Sequence, residues 1–377
     1  MSSKGRVLVA MSGGVDSSVA AVMLKEQGYD VIGITMKTWD YSRVGGKSDK
    51  ETGCCTLESM NDARQIAVEH GFKHFIVDIR DEFGDWVIDR FVDDYMSGRT
   101  PNPCVLCNTH IKWAALLRRA DNLGCDYIAT GHYANVREEN GRYVISKGLD
   151  PQKDQSYALW GVEQKHLART IFPLGSYKKT EIRDMAEEFG LTKVADKPDS
   201  YEICFVPDDN YRRFLKDRVD GLEERVKGGK FVDQDGNIVG EHEGYPFYTI
   251  GQRRGLDLAL GKRVYVTDID PETNIITIGE KKDLVSTTCR AKNINLSKYG
   301  EVPRGEMEIT GKIRYNDDGV IGTLKQLGED EIQVEFPTGR EAITPGQAVV
   351  CYEGNDVVGG GWIHKVNVDT DALLQDA

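Results

Sequence analysis

Two kinds of side chain in this 377-residue chain are spaced to do chemistry: small and hydroxyl residues in one short loop, and thiols at two remote places. Ser12-Gly13-Gly14-Val15-Asp16-Ser17 directly follows the apolar run Val7 to Met11 and directly precedes a segment with helical spacing. A strand that ends in such residues and opens a helix aims loop amides and the helix N-terminus at an anion, so the loop is read as a phosphate cradle. The thiols are Cys104 and Cys107, within Pro101-Asn102-Pro103-Cys104-Val105-Leu106-Cys107-Asn108, and Cys204, within Asp199-Ser200-Tyr201-Glu202-Ile203-Cys204-Phe205. Two cysteines three apart can bind one metal, form a redox pair, or supply a nucleophile with a neighbour. A zinc site wants four good ligands, and the sequence holds no second Cys-x-x-Cys. The vicinal pair Cys54-Cys55 reads as either a sulfur relay or surface thiols, the second being favoured, and nothing assigns a job to Cys125, Cys289 or Cys351.

The loop is neither a Walker motif nor a dinucleotide fingerprint. A near miss at Gly45-Gly46-Lys47-Ser48 fails because Tyr41 stands where the first glycine should be. The string SGGVDS resembles instead the pyrophosphate-binding loop of the ATP pyrophosphatase superfamily. That resemblance implies an enzyme that splits ATP between the α and β phosphates and adenylates a carbonyl oxygen.

Such groups need elements to hold them. Val19, Ala20, Met23 and Leu24 fall on one helical face behind the loop, and Gly28 stops that helix. Val31 to Met36 reads as a second buried strand. A helix from about Leu57 to His70 carries Ala63, Ile66 and Ala67 inward, ends at Gly71 and leads into a third run, His74 to Ile79. A helix containing Phe83, Val87 and Phe91, another from about Thr109 to Leu123, and a strand Asp126 to Thr130 continue the alternation, which predicts a doubly wound parallel sheet. Ligands of such sheets sit at the carboxyl ends of strands, where Ser12, Met36 and Gly131 fall.

The prolines around Cys104 and Cys107 predict a stiffened loop between two helices. Asn140-Gly141, between Val136 and Tyr143, marks a hairpin at the edge of this sheet, and helical spacing returns behind Thr180. From about Phe231 the grammar changes to strands. Asp235-Gly236 is a turn, Val264 to Ile269 and Ile275 to Ile278 make a pair, and Met307 to Val366 is short strands punctuated by glycines. Two β-rich domains divided near Ser286 are expected.

The bulk numbers restrict the function. A chain of 377 residues accommodates two or three domains, and 40% hydrophobic with 29% charged residues is ordinary for a soluble globular protein. No apolar run approaches the roughly 20 residues a membrane helix needs, so a cytoplasmic protein without membrane attachment is expected. Eight cysteines are too sparse for a disulfide scaffold. A net charge of -13 repels polyanions at long range, so a nucleic-acid partner must meet local basic patches. Candidates are Arg118-Arg119, Lys178-Lys179, Arg212-Arg213, Arg253-Arg254 and Lys262-Arg263.

Six motifs then occur in one order: SGGVDS at Ser12, PNPCVLCN around Asn102 to Asn108, TGHYA at Thr130, KDQSY at Lys153, DSYEICF at Asp199 and GYPFYTIGQRRGL at Gly244. Together they resemble the tRNA-specific 2-thiouridylase family across essentially the whole chain. The resemblance implies three domains: a Rossmann-like ATP pyrophosphatase domain over 1–208, a β-rich adaptor over 209–285, and a β-barrel over 286–377. It implies ATP with Mg2+ as co-substrate, tRNA as substrate, a cysteine desulfurase or sulfur-relay protein as donor, and a monomer.

Its site residues carry over by position. Ala10, Met11, Ser12, Gly13, Gly14, Val15, Asp16, Ser17, Met36 and Gly131 match ATP contacts. Asn102, Pro103 and Cys104 match the segment facing the target base; His132, Lys153, Asp154, Gln155, Arg314, Tyr315 and Gln347 match further tRNA contacts. Cys204 matches the persulfide carrier and Cys107 the nucleophile, and transfer would leave a Cys107–Cys204 disulfide. One departure stands out: many members carry Asp where this chain has Cys104. The substitution makes a three-thiol set resembling tRNA thiolation enzymes whose three cysteines hold a [4Fe-4S] cluster, so Cys104, Cys107 and Cys204 are also candidate cluster ligands.

Overall fold

A computed structural model describes residues 4–39, 56–197 and 203–365. The first strand, β1 (Arg6–Ala10), hides Val7, Leu8 and Val9 completely, as a strand covered on both faces must. It feeds α1 (Val15–Glu26), whose partner strand β2 (Asp30–Lys37) returns parallel with Val7 opposite Val31. Then come α2 (Leu57–Glu69), β3 (Lys73–Asp78), α3 (Trp113–Asn122) and β4 (Tyr127–Ala129). The hairpin β5 (Ala134–Glu139) and β6 (Arg142–Lys147) intervenes before β7 (Thr170–Ile171) and α4 (Lys179–Glu188). The parallel sheet has the order β3-β2-β1-β4-β7, the doubly wound arrangement the alternation predicts.

Two expectations are corrected. The segment around Cys104 and Cys107 is not a loop: Pro103–Leu106 is α-helical, Cys107–Lys112 is a π-helical stretch, and the chain runs on into α3. Asn102 accepts from the Val105 amide at 3.3 Å and Pro103 takes the first helical position, where its missing N–H costs nothing. The β5–β6 hairpin does not extend the parallel sheet. It joins the C-terminal sheet, with Ser146 opposite Asp356, and Arg137 clamps the Asp356 carboxylate through two contacts of 2.8 Å.

Downstream, β8 (Gly229–Val232), β9 (Ile238–His242), β10 (Tyr265–Asp270) and β11 (Ile275–Gly279) form a four-stranded sheet in the order β10-β11-β8-β9. The last six strands are β12 (Val285–Asn295), β13 (Glu306–Lys312), β14 (Val320–Gln326), β15 (Glu331–Glu341), β16 (Ala348–Glu353) and β17 (Asp356–Ile363). Pairing of β12 with β17 closes them into a barrel, which removes the exposed edges an open sheet would leave.

The cores cross these units. Leu8, Trp113 and Ile128 of the α/β unit share one apolar cluster with Ala348, Val350, Tyr352 and Val357 of the barrel. Phe83, Phe91 and Phe205 share another with Phe231 and Val266 of the middle sheet and Phe247 of the turn between β9 and β10.

Candidate functional site

The loop after β1 is built by close approach. Gly13 has φ +74°, and a Cβ there would stand 2.0 Å from the Ser59 carbonyl at the start of α2, so only glycine lets that helix meet the loop. Gly131, after β4, packs against the other flank, where a Cβ would come within 2.9 Å of the Ser17 amide nitrogen. Gly14 caps α1 with extended backbone, and Val15 sinks into the core beneath. The Ser12 amide donates to Ser17 Oγ at 3.0 Å, fixing the loop's mouth.

Charge is arranged around this loop by residues the motif does not include. Lys179 Nζ, at the start of α4, lies 2.7 and 2.8 Å from the two Asp16 oxygens, and the Tyr133 hydroxyl donates to Asp16 at 2.7 Å. Lys197 Nζ reaches the Gly13 carbonyl at 3.3 Å and pairs with Asp62. Two ammonium groups, each paired with one carboxylate, thus flank the mouth, so cationic donors stand beside the loop amides where a polyphosphate would lie.

A cavity of about 370 Å3 opens beside the loop. Ala10, Met11, Ser12, Asp16, Ser17, Met36 and Gly131 line one part of it, and Pro103, Cys104, Cys107, Lys112, His132, Gln155 and Cys204 line another. The structure therefore brings both remote thiol segments to the phosphate loop. Cys107 opens the π-helical stretch, while Cys204 is held by its neighbour Phe205, whose ring packs edge-on to Phe83 and Phe91 at 5.9 and 5.2 Å. No disulfide joins the described cysteines. Cys104 is open to the cavity yet surrounded by protein, so burial raises its thiol pKa while the Lys112 ammonium opposes the rise.

His132 is buried, with Nδ1 2.7 Å from Thr130 Oγ1, and burial holds its imidazole well below the usual range, aided by Lys112. It is neutral at pH 7. Gln155 Oε1 accepts from the Tyr133 amide at 3.0 Å, and Asp154 organises its turn by accepting from Gly148 and Ser156 amides, each at 3.1 Å. Tyr315, on the barrel, donates to the Asp154 carbonyl at 3.0 Å. Gln347 donates to the Thr100 and Pro101 carbonyls at 3.2 and 2.9 Å, tying the barrel to the segment that carries Cys104. Lys153, Asp154, Arg314, Tyr315 and Gln347 stand outside the cavity lining, with Arg314 exposed.

The remaining sequence readings sort as follows. Cys289 and Cys351 are buried in the barrel core and Cys125 in the α/β core, away from this cavity. Cys54-Cys55, like Asp199 to Glu202, lies outside the described residues. Among the described residues no three His, Cys, Asp or Glu side chains converge to hold a metal, so the three thiols as arranged do not fit an iron-sulfur cluster. Asp16 is the one carboxylate among the described lining residues, and it fits a Mg2+ ion arriving with a nucleotide. Of the basic pairs, Arg118 and Arg119 are engaged by Glu82 and Arg213 by Asp208 and Asp217. Arg253, Lys262 and Arg263 share a separate groove of about 560 Å3. Lys179 was visible only as half of a basic pair; Lys112, Tyr133 and Lys197 gave no spacing signal of their own, although Tyr133 sits inside TGHYA.

Comparison with known proteins places this geometry in context. Residues 5–208 match the model described as tRNA methyl transferase HUP domain, 212–280 the tRNA methyl transferase PRC-barrel domain, and 286–363 the aminomethyltransferase beta-barrel domain. The chain is 70% identical over 368 residues to a tRNA-specific 2-thiouridylase of Salinibacter ruber, covering 97% of this chain and 96% of that protein. It is 62% identical over 363 residues to that of Cytophaga hutchinsonii, covering 96% and 98% of the two chains. With the protein of the same name from Amoebophilus asiaticus it shares 59% identity over 360 residues, covering 96% and 95%.

Proposed function

The chain belongs to the tRNA-specific 2-thiouridylase family, and from that premise we propose that it replaces O2 of the wobble uridine of tRNA by sulfur, using ATP with Mg2+. The observation that carries the reading is the single cavity lined by the phosphate loop, Cys107 and Cys204. The C2 carbonyl of uracil is a poor electrophile, so its oxygen must first become a leaving group. Adenylation does this, and the pyrophosphate released is assigned to the amides of the Ser12 to Ser17 loop, with the Lys179 and Lys197 ammonium groups, each paired with a carboxylate, beside it.

Sulfur then has to arrive as a strong nucleophile. The terminal sulfur of a persulfide on Cys204 attacks C2, and AMP leaves with the former O2. Cys107, lining the same cavity, then attacks the inner sulfur; the persulfide S–S bond breaks with its electron pair left on the transferred sulfur, and Cys107 becomes disulfide-linked to Cys204. Asn102, Pro103 and Cys104 are assigned to the target base. The neutral His132 ring and Gln155 amide, with Lys153, Asp154, Arg314, Tyr315 and Gln347, are assigned to the surrounding nucleotides, because a uridine worked on at C2 must leave its stack. A desulfurase or sulfur-relay protein supplies the persulfide. The α/β unit to residue 208 is assigned the chemistry, and the units over 209–285 and 286–377 the holding of RNA, in a cytoplasmic monomer.

The test is incubation of an unmodified tRNA transcript with ATP, magnesium and a persulfide source, followed by nucleoside analysis. The expected product is 2-thiouridine with one pyrophosphate released for each. Tight ATP binding without tRNA-dependent pyrophosphate release would remove the reading.

A further inference from the structure

The three cavity thiols are not equivalent in place. Cys104 and Cys107 lie three residues apart on continuous helical backbone, Pro103–Leu106 followed by Cys107–Lys112. Helical geometry sets such Cα atoms about 5 Å apart, inside the range a disulfide accepts without backbone movement. Cys204 reaches the same cavity from a distant part of the chain. Cys104 is open to that cavity, whereas Cys125, Cys289 and Cys351 are buried elsewhere. Lys112, on the same cavity wall, favours the thiolate of Cys104 against the cost of burial.

We propose that Cys104 is an internal resolving thiol, which attacks Sγ of Cys107 in the Cys107–Cys204 disulfide and releases Cys204 for reloading with sulfur. This rests on the sulfur-transfer reading above. The exchange balances as written: the Cys104 thiolate forms a new S–S bond to Cys107, the old S–S bond breaks, and its electron pair leaves on Cys204, which takes up a proton. Nothing is oxidised or reduced overall. The disulfide has only moved to the Cys104–Cys107 pair, where an external dithiol later delivers two electrons and two protons. The consequence is a Cys204 thiol ready for the sulfur donor before that reductant acts.

The experiment is one stoichiometric turnover of the full-length protein, persulfide-loaded, with tRNA and ATP but without reductant, followed by acid quench, alkylation with iodoacetamide and tryptic mapping. No Lys or Arg separates Cys104 from Cys107, while Lys112 and Lys193 lie between Cys107 and Cys204, so the two disulfides give different peptides. The expected map has Cys204 alkylated and Cys104 joined to Cys107 within one peptide. In Cys104→Ser, whatever its rate of first turnover, the end state becomes the cross-linked Cys107–Cys204 peptide pair. A wild-type map in which Cys104 carries the alkyl group overturns the proposal. Both maps are read only on samples that contain 2-thiouridine. Absence of that nucleoside from the wild-type reaction counts instead against the sulfur-transfer reading.

Discussion

At the scale of single residues, activation and sulfur delivery are chemically separate, and the side chains divide accordingly. Asp16 is held by Lys179 and Tyr133 while sulfur delivery is assigned to the two thiols, so Cys107→Ser and Cys204→Ser are expected to abolish 2-thiouridine while tRNA-dependent pyrophosphate release continues, which a phosphate-release assay beside nucleoside analysis reads directly. Lys179 belongs to the other half. Its Nζ is nearly buried and bound to both Asp16 oxygens, so Lys179→Met turns the Asp16 charge toward the incoming triphosphate. Loss of such a charged partner costs about 1–3 kcal/mol, roughly a 5- to 150-fold rise in ATP Kd, measurable by calorimetry with a non-hydrolysable analogue. An unchanged Kd removes Lys179 from the phosphate site. The loop and thiols were legible in the sequence because glycine, hydroxyl and thiol chemistry is local. Lys179 was not, because its meaning comes from an ion pair that spans 163 positions.

At the scale of elements, periodicity located β1, β2 and β4 well, since a parallel strand inside the sheet is covered on both faces, and it found the edge strand β3 although that strand is largely exposed. It misread the Cys104 segment as a loop because two prolines look like breakers. Pro103 instead starts a helix under the Asn102 cap. The π-helical stretches at Gly84–Ile88 and Cys107–Lys112 carry no composition signal, yet both supply residues to the cavity wall. In the middle sheet, the last residue of β9, His242, is boxed by Phe231 and Tyr248 with ring centroids 5.0 and 5.4 Å away, and its Nδ1 accepts from the Gly244 amide. Burial pulls its pKa down to about 4. The folded state therefore keeps it neutral, so its contribution is present above the unfolded value near 6.5 and is lost as pH falls from there toward 4. At about pH 5 the loss from this residue is about 2 kcal/mol. Urea titrations at about pH 7 and about pH 5 should show that difference, and His242→Phe should shrink it while itself costing about 1 kcal/mol for the orphaned Gly244 amide.

At the scale of the molecule, the barrel takes part in the site although none of its described residues lines the cavity. Its strands bury Val350 and Tyr352 in the same cluster as Leu8 and Trp113, the Tyr157 hydroxyl donates to the Ala348 carbonyl at 2.8 Å, and the β5–β6 hairpin inserts from the α/β unit into its sheet. Short glycine-punctuated strands foretold a β-rich unit; closure and the borrowed hairpin depend on pairings far apart in sequence, which alternation does not encode. Because the amide of Thr100 also donates to the Pro345 carbonyl, the turn before β16 grips the segment entering the Cys104 helix from both sides. Gln347→Ala removes two of these hydrogen bonds and leaves the phosphate loop intact. ATP affinity should therefore be retained, while tRNA-dependent pyrophosphate release falls by roughly 5- to 150-fold, since about 1–3 kcal/mol of positioning is withdrawn from the base-facing segment. Equal losses in ATP binding and tRNA-dependent turnover would mean that the barrel acts only as a general support for the α/β unit.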